Sequence, residues 1–113
     1  MKIRTIKENK YWIWLSLIKN IGSIKKQKLL KRFKTPKCIY NASELELLEI
    51  EGIGENTARS ILKSKNEKQI ENNIIYLQEN NIKLITIEDE EYPKNLKQIY
   101  DYPISIYVKG NIE

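Results

Sequence analysis

Apolar and polar residues follow two different rhythms along this chain, and the change falls near residue 81. Over residues 9–19, Tyr11, Trp14, Leu15 and Ile18 recur at the three- and four-residue spacing of one helical face. Gly22 interrupts that pattern and residues 23–33 resume it, with Ser23 placed to cap the new helix. Leu29, Leu30 and Phe33 make its buried side, and Lys25, Lys28, Lys31 and Arg32 lie opposite. Thr35 before Pro36 stops the helix, because a residue before proline avoids helical backbone; Pro36 itself suits a first helical position. Ser43 and Glu46 have the spacing of a capping box and open another short helix. EGIG at 51–54 precedes a helix over about 55–63, with Ala58, Ile61 and Leu62 inward. Asn66 then caps a longer helix to about residue 80, with Ile70, Ile74 and Leu77 on its inner stripe.

After residue 81 the pattern shifts to that of strands. IKLITI at 82–87 is rich in β-branched residues. EDEEYPKNLKQIYDYP is a turn-rich segment with about one helical turn near 93–99. Ile104, Ile106 and Val108 then alternate with Ser105, Tyr107 and Lys109. The expected architecture is mainly α: a small helical domain over residues 1–81, followed by a short β-containing extension over 82–113. Two strands joined by a long irregular segment make a poor independent unit, so they read as the beginning of a larger sheet. On that reading residues 104–108 form an unprotected edge that can pair with a second copy.

A repeat lies inside the helical part. KNIGSIKKQKLLK (19–31) superimposes on EGIGENTARSILK (51–63). Ile21 matches Ile53, Gly22 matches Gly54, and Leu29 and Leu30 match Ile61 and Leu62. Each copy joins two helices through a tight corner, where a positive φ is needed and glycine tolerates it best. The glycine opening the next helix lies where the first backbone N–H groups lack partners and the helix dipole is positive. Without a Cβ there, a phosphate can approach those amides. The candidate contacts are the amides of Gly22, Ser23, Ile24 and Lys25 in the first copy, and those of Gly54, Glu55, Asn56 and Thr57, with Gly52, in the second. Lys25, Lys28, Lys31 and Arg32 add charge, joined by Arg59 and Lys63. Such contacts read backbone phosphate and not base identity. Glu51 and Glu55 flank the second corner and oppose an anion there, which favours the other reading, a module keeping this geometry for packing or protein interaction.

Charge changes the picture further. Residues 1–40 carry twelve Lys and Arg against the single acid Glu8, whereas residues 41–113 carry eight against fourteen acids. A basic half joined to an acidic half implies a face for a polyanion. The chain has no histidine and one cysteine, which excludes histidine acid–base catalysis, a Cys/His zinc site and a disulfide framework. Cys38 reads as a small buried hydrophobe. The acidic run at 88–91 is contiguous and reads as a solvated loop, not a metal site. The apolar run at 11–18 is too short for a membrane span, and no cleavage site follows it. No cofactor, metal, membrane or small-molecule substrate is expected, and no enzymatic activity. The Trp12 and Trp14 rings belong to the core by their helical spacing.

Ile50, Gly52, Ile53, Gly54 and Ala58 resemble the helix-hairpin-helix signature, apolar-Gly-apolar-Gly with a following Ala. The first copy departs from it, with Asn20 at the first glycine position and Lys26 at the alanine position, where only its stem can bury comfortably. Residues 90–111 resemble the segment leading into the Rossmann-like domain of the DprA (Smf) DNA-processing family: Tyr92, Pro93, Leu96, Ile99, Asp101, Pro103 and the strand of Tyr107, Val108, Lys109 and Gly110. The resemblance implies a helical domain like a sterile-alpha-motif fold over 1–81 and the linker and first strands of a Rossmann-like domain over 82–113. It further implies a cytoplasmic protein of DNA uptake and natural transformation, with single-stranded DNA and RecA as partners of the full-length family. Since the family's activities are attributed mainly to the Rossmann-like domain, this chain is expected to contribute weak, sequence-independent DNA binding.

Overall fold

The computed structural model describes residues 6–109, with side chains from Asn9 onward. Gly110, the side chain of Glu8 and the outer ends of both expected domains lie outside the described residues. The chain forms α1 (Ile6–Leu17), α2 (Ser23–Phe33), α3 (Pro36–Tyr40), α4 (Glu44–Leu48), α5 (Glu55–Lys63) and α6 (Glu67–Glu79). Strand β1 (Ile82–Thr86), a 3₁₀ turn at Leu96–Gln98 and strand β2 (Ser105–Lys109) follow. The two strands pair antiparallel, Ile82 opposite Lys109 and Thr86 opposite Ser105. The ladder extends one bond further, Ile87 N–H donating to Ile104 O at 3.0 Å. Among the described residues no third strand joins them, so β2 keeps one open edge. No helix among the described residues is long and apolar enough to cross a membrane.

Helix α1 is the centre of the core. Trp12, Ile13, Trp14 and Leu15 are buried one after another, a wider set than the single stripe its spacing suggests. A helix buried on consecutive positions is covered on several sides; here α3, α6 and the β pair surround it. Leu29, Leu30 and Phe33 from α2, Leu47 from α4, Ala58 and Ile61 from α5 and Ile70 from α6 complete the core. Leu84 and Ile104 belong to the same cluster, so the β pair rests directly on the helices. Ser16 Oγ and Ser105 Oγ lie 2.6 Å apart across that junction. The Trp14 indole N–H donates to Ser64 Oγ at 3.1 Å, and Tyr40 meets Trp14 edge-on.

The capping box of α4 forms in both directions, Thr35 accepts from Cys38 N–H at α3, and Asn66 accepts from Gln69 N–H at α6. The first helix runs over Ile6–Leu17 instead of 9–19, because residues 19 and 20 are spent on the corner. Cys38 is exposed, not buried. Helix α3 buries Pro36 and Ile39, one turn apart, and Cys38 lies off that stripe. The acidic run makes the turn after β1: Asp89 Oδ2 accepts Thr86 N–H at 2.8 Å and Glu91 pairs with Lys83.

Candidate nucleic-acid interface

Both corners are built the same way. Gly52 has φ +92°, the left-handed conformation that disfavours side chains. Asn20, the equivalent residue of the first copy, has φ +67°. Asparagine tolerates this region better than other side chains, so the departure from the signature leaves the backbone path intact. Gly22 and Gly54 then stand as N-caps of α2 and α5, both in extended conformation. The cap of α2 is therefore Gly22, and Ser23 is its first helical residue. Neither helix start has a side-chain cap, in contrast to α3, α4 and α6. The first ladder bonds run from Lys26 N to Gly22 O and from Ala58 N to Gly54 O, leaving the amides of 22–25 and 54–57 ahead of them. A Cβ added at Gly22 or Gly54 would meet nothing within 4 Å, so space is open in front of each start.

The fold sets these two starts side by side. Lys25 Nζ donates to Thr57 Oγ1 at 3.2 Å, joining equivalent positions of the two repeats. Lys28 Nζ donates to Glu51 O at 3.3 Å and so lies beside Gly52. Two lysines of the first copy thereby bring positive charge to the second corner, whose residues 51–57 include no lysine or arginine. Glu55, in the first turn of α5, pairs with Arg59 one turn later at 3.7 Å, which offsets its opposition to an anion. Arg32 turns away, pairing with Glu49 at 3.3 Å and lying over the Phe33 ring. Ile24 is half-buried, and Asn56 is exposed. Lys63 lines a separate cleft with Lys19, Asn20 and Ser60.

Lys26 stands where the second copy has the buried Ala58. Its ammonium donates to Ser16 O at 3.0 Å, near the C-terminus of α1, and burial holds its pKa below the ordinary 10.5. The lysine at the alanine position thus supports the fold rather than the anion site.

A neighbouring cleft went unread in the sequence. About 500 Å³ in volume, it lies between α2 and the segment before β2, lined by Lys28, Lys31, Lys34, Trp12, Tyr100 and Tyr102 among others. The Gln27 amide holds its far wall, donating to Tyr102 O at 2.9 Å. The available signal was Lys34, a lysine just past a helix end where glycine is usual.

The profile of the helix-hairpin-helix motif matches residues 13–74 of this chain, and that of DNA recombination-mediator protein A matches residues 83–113. The chain is similar to Protein Smf of Synechocystis sp., with 26% identity over 106 residues, covering 94% of this chain and 27% of that protein. It is also similar to Protein Smf of Borreliella burgdorferi, with 31% identity over 98 residues, covering 87% of this chain and 31% of that protein. The chain therefore spans a third or less of the length of these relatives. No solved structure matches it significantly.

Proposed function

The chain belongs to the DprA/Smf family, and from that kinship we propose that it binds DNA without regard to sequence, through phosphates held at its paired helix-hairpin-helix corners. One observation carries the reading: two uncapped helix starts lie together, with Lys25 spanning from one to the other. Each start offers partnerless amides and the positive end of a dipole, and Lys25 and Lys28 add formal charge. The contacts proposed are the amides at 22–25 and 54–57 with those two lysines; Arg32 is engaged elsewhere and contributes less. Within the longer family protein this module would assist DNA processing during natural transformation, in the cytoplasm, alongside single-stranded DNA and RecA. No catalytic step is assigned to it.

A few exposed phosphate contacts give weak, salt-sensitive binding, with a dissociation constant of roughly 10⁻⁴–10⁻⁶ M. Fluorescence polarisation of a labelled short duplex against the full chain at low salt tests this. Duplexes of unrelated sequence should bind alike, and Lys25→Glu with Lys28→Glu should abolish binding. No association by the unaltered chain would end the reading. The second reading, a packing or protein-interaction module, is favoured by Glu51 and Glu55 at the second corner; it expects no DNA binding at any salt concentration.

A further inference from the structure

The cleft between α2 and the segment before β2 has walls of opposite charge. On one wall Lys28, Lys31 and Lys34 succeed one another along and just beyond α2. On the other, Glu88 lines the cleft, and Asp101 lies between the lining residues Tyr100 and Tyr102. Lys31, Lys34, Glu88 and Asp101 are all exposed, and none of them forms an ion pair among the described residues. The two walls thus face each other across about 500 Å³ without meeting. The acidic wall also carries Tyr100, 83% exposed, the most exposed of the large hydrophobic residues described; Ile99 beside it is 49% exposed. Between the walls the floor is apolar, from Trp12, Ile24, Leu30 and Ile87.

An independent observation concerns Lys34. It closes α2 with φ 77° and ψ −40°, a conformation that suits glycine and strains a lysine. The backbone would be easier with glycine there, yet the chain has an ammonium at the cleft instead. Strain retained at one residue points to a use for its side chain.

A face with a basic side, an acidic side and an apolar centre is complementary to itself. A two-fold axis through the cleft exchanges the walls, so the lysines of one copy come over the carboxylates of the other, and the reverse. We infer that two copies of this chain pair through this face, Lys31 and Lys34 of each meeting Glu88 and Asp101 of the other, with each Tyr100 ring set against the opposite lysine wall. An ammonium over the face of a tyrosine ring is itself attractive, and burying the ring removes an exposed apolar surface. A nucleic-acid strand is a poorer occupant, since it carries a negative charge at every nucleotide and would run beside Glu88 and Asp101. A second copy sets an opposite charge against each of the four groups. The contact uses side chains of α2 and of the segments flanking the β pair, and not the backbone edge of β2. One cleft and its rim fall below a standard interface, so pairing is reversible, roughly in the micromolar to millimolar range. The inference stands whether or not the hairpin corners hold DNA.

Sedimentation equilibrium of the full chain without nucleic acid, up to about 1 mM, tests it. The unaltered chain should pass from monomer to dimer and stop there, because a two-fold contact closes on itself. Tyr100→Ala should weaken the dimer roughly tenfold and leave the melting temperature unchanged, since its side chain is exposed in the monomer. Lys31→Glu with Lys34→Glu makes the face wholly acidic, and Glu88→Lys with Asp101→Lys makes it wholly basic. Each double variant should stay monomeric alone, and the two mixed should form a heterodimer. A monomer at every concentration overturns the inference, as does assembly that grows past the dimer. A dimer that neither Tyr100→Ala nor the charge reversals weaken would lie on another face and overturn it too. Duplex affinity, measured separately at concentrations where the chain is monomeric, reports on the corners alone, so the two readings can fail independently.

Discussion

Gly54 occupies a position that serine would fill with greater stability, since a hydroxyl there can accept from the free amides of the first turn. Glycine also costs more backbone entropy on folding. Gly54→Ser should therefore stabilise the chain by about 0.5 kcal/mol in urea unfolding. The same hydroxyl occupies the amides a phosphate would use, so duplex affinity should fall as stability rises. Greater stability with unchanged affinity would show that the amides at 54–57 are not the contact. At this scale the sequence was a good guide where one residue type determines the backbone. The glycine corners were legible, and so was the lysine stem at Lys26. It misled at Ser23, which has the chemistry of a cap but lies one residue inside the helix. Local chemistry does not fix where the first helical dihedral falls.

Between elements, a small polar network ties three helices together. Lys10 on α1 pairs with Glu67 at the start of α6, and the Tyr40 hydroxyl of α3 donates to the same carboxylate at 2.8 Å. The hydrogen bond from Lys10, then that from Tyr40, lowers the Glu67 pKa below its ordinary 4.5, and the bond to Glu67 raises Lys10 above 10.5. A lowered carboxyl contributes stability fully present above pH 4.5 and lost as pH falls through the folded value. A raised lysine contributes below 10.5 and loses that as pH rises through its folded value. Half of the Glu67 side chain is exposed, so screening limits the network to about 0.5 kcal/mol. Glu67→Gln should be less stable by that amount at neutral pH, and the gap should close as the solution is acidified below 4.5. A gap that persists in acid would mean that packing, not charge, is lost. Helix starts with short polar caps at Ser43 and Asn66 were legible because capping is local, whereas Thr35, read only as the stop of α2, also caps α3. The burial of Ile13 was not, because it depends on how many neighbours surround α1.

Across the whole molecule, the asymmetry of charge is plain in the sequence, but its placement is not. The basic first half meets the second corner only because the repeats fold against each other, which brings Lys25 to Thr57 and Lys28 to Glu51. The cleft needs a longer closure still, Gln27 holding Tyr102 across 75 positions of sequence, and no local pattern announces such a contact. These placements make salt dependence the discriminating measurement. If Lys25 and Lys28 each neutralise a phosphate on duplex DNA, the logarithm of the binding constant should fall against that of salt with a slope of about −2. Raising salt from about 50 to about 200 mM should then weaken binding roughly tenfold. Lys25→Glu should reduce the steepness by about one, because it removes one ionic contact without touching the amides. Gly54→Ser should weaken binding and leave the slope nearly unchanged, because an amide contact releases few counterions. The two variants thus separate the charge from the helix starts. A flat salt profile in the unaltered chain would mean that neither lysine meets a phosphate, and the paired corners would then serve packing alone.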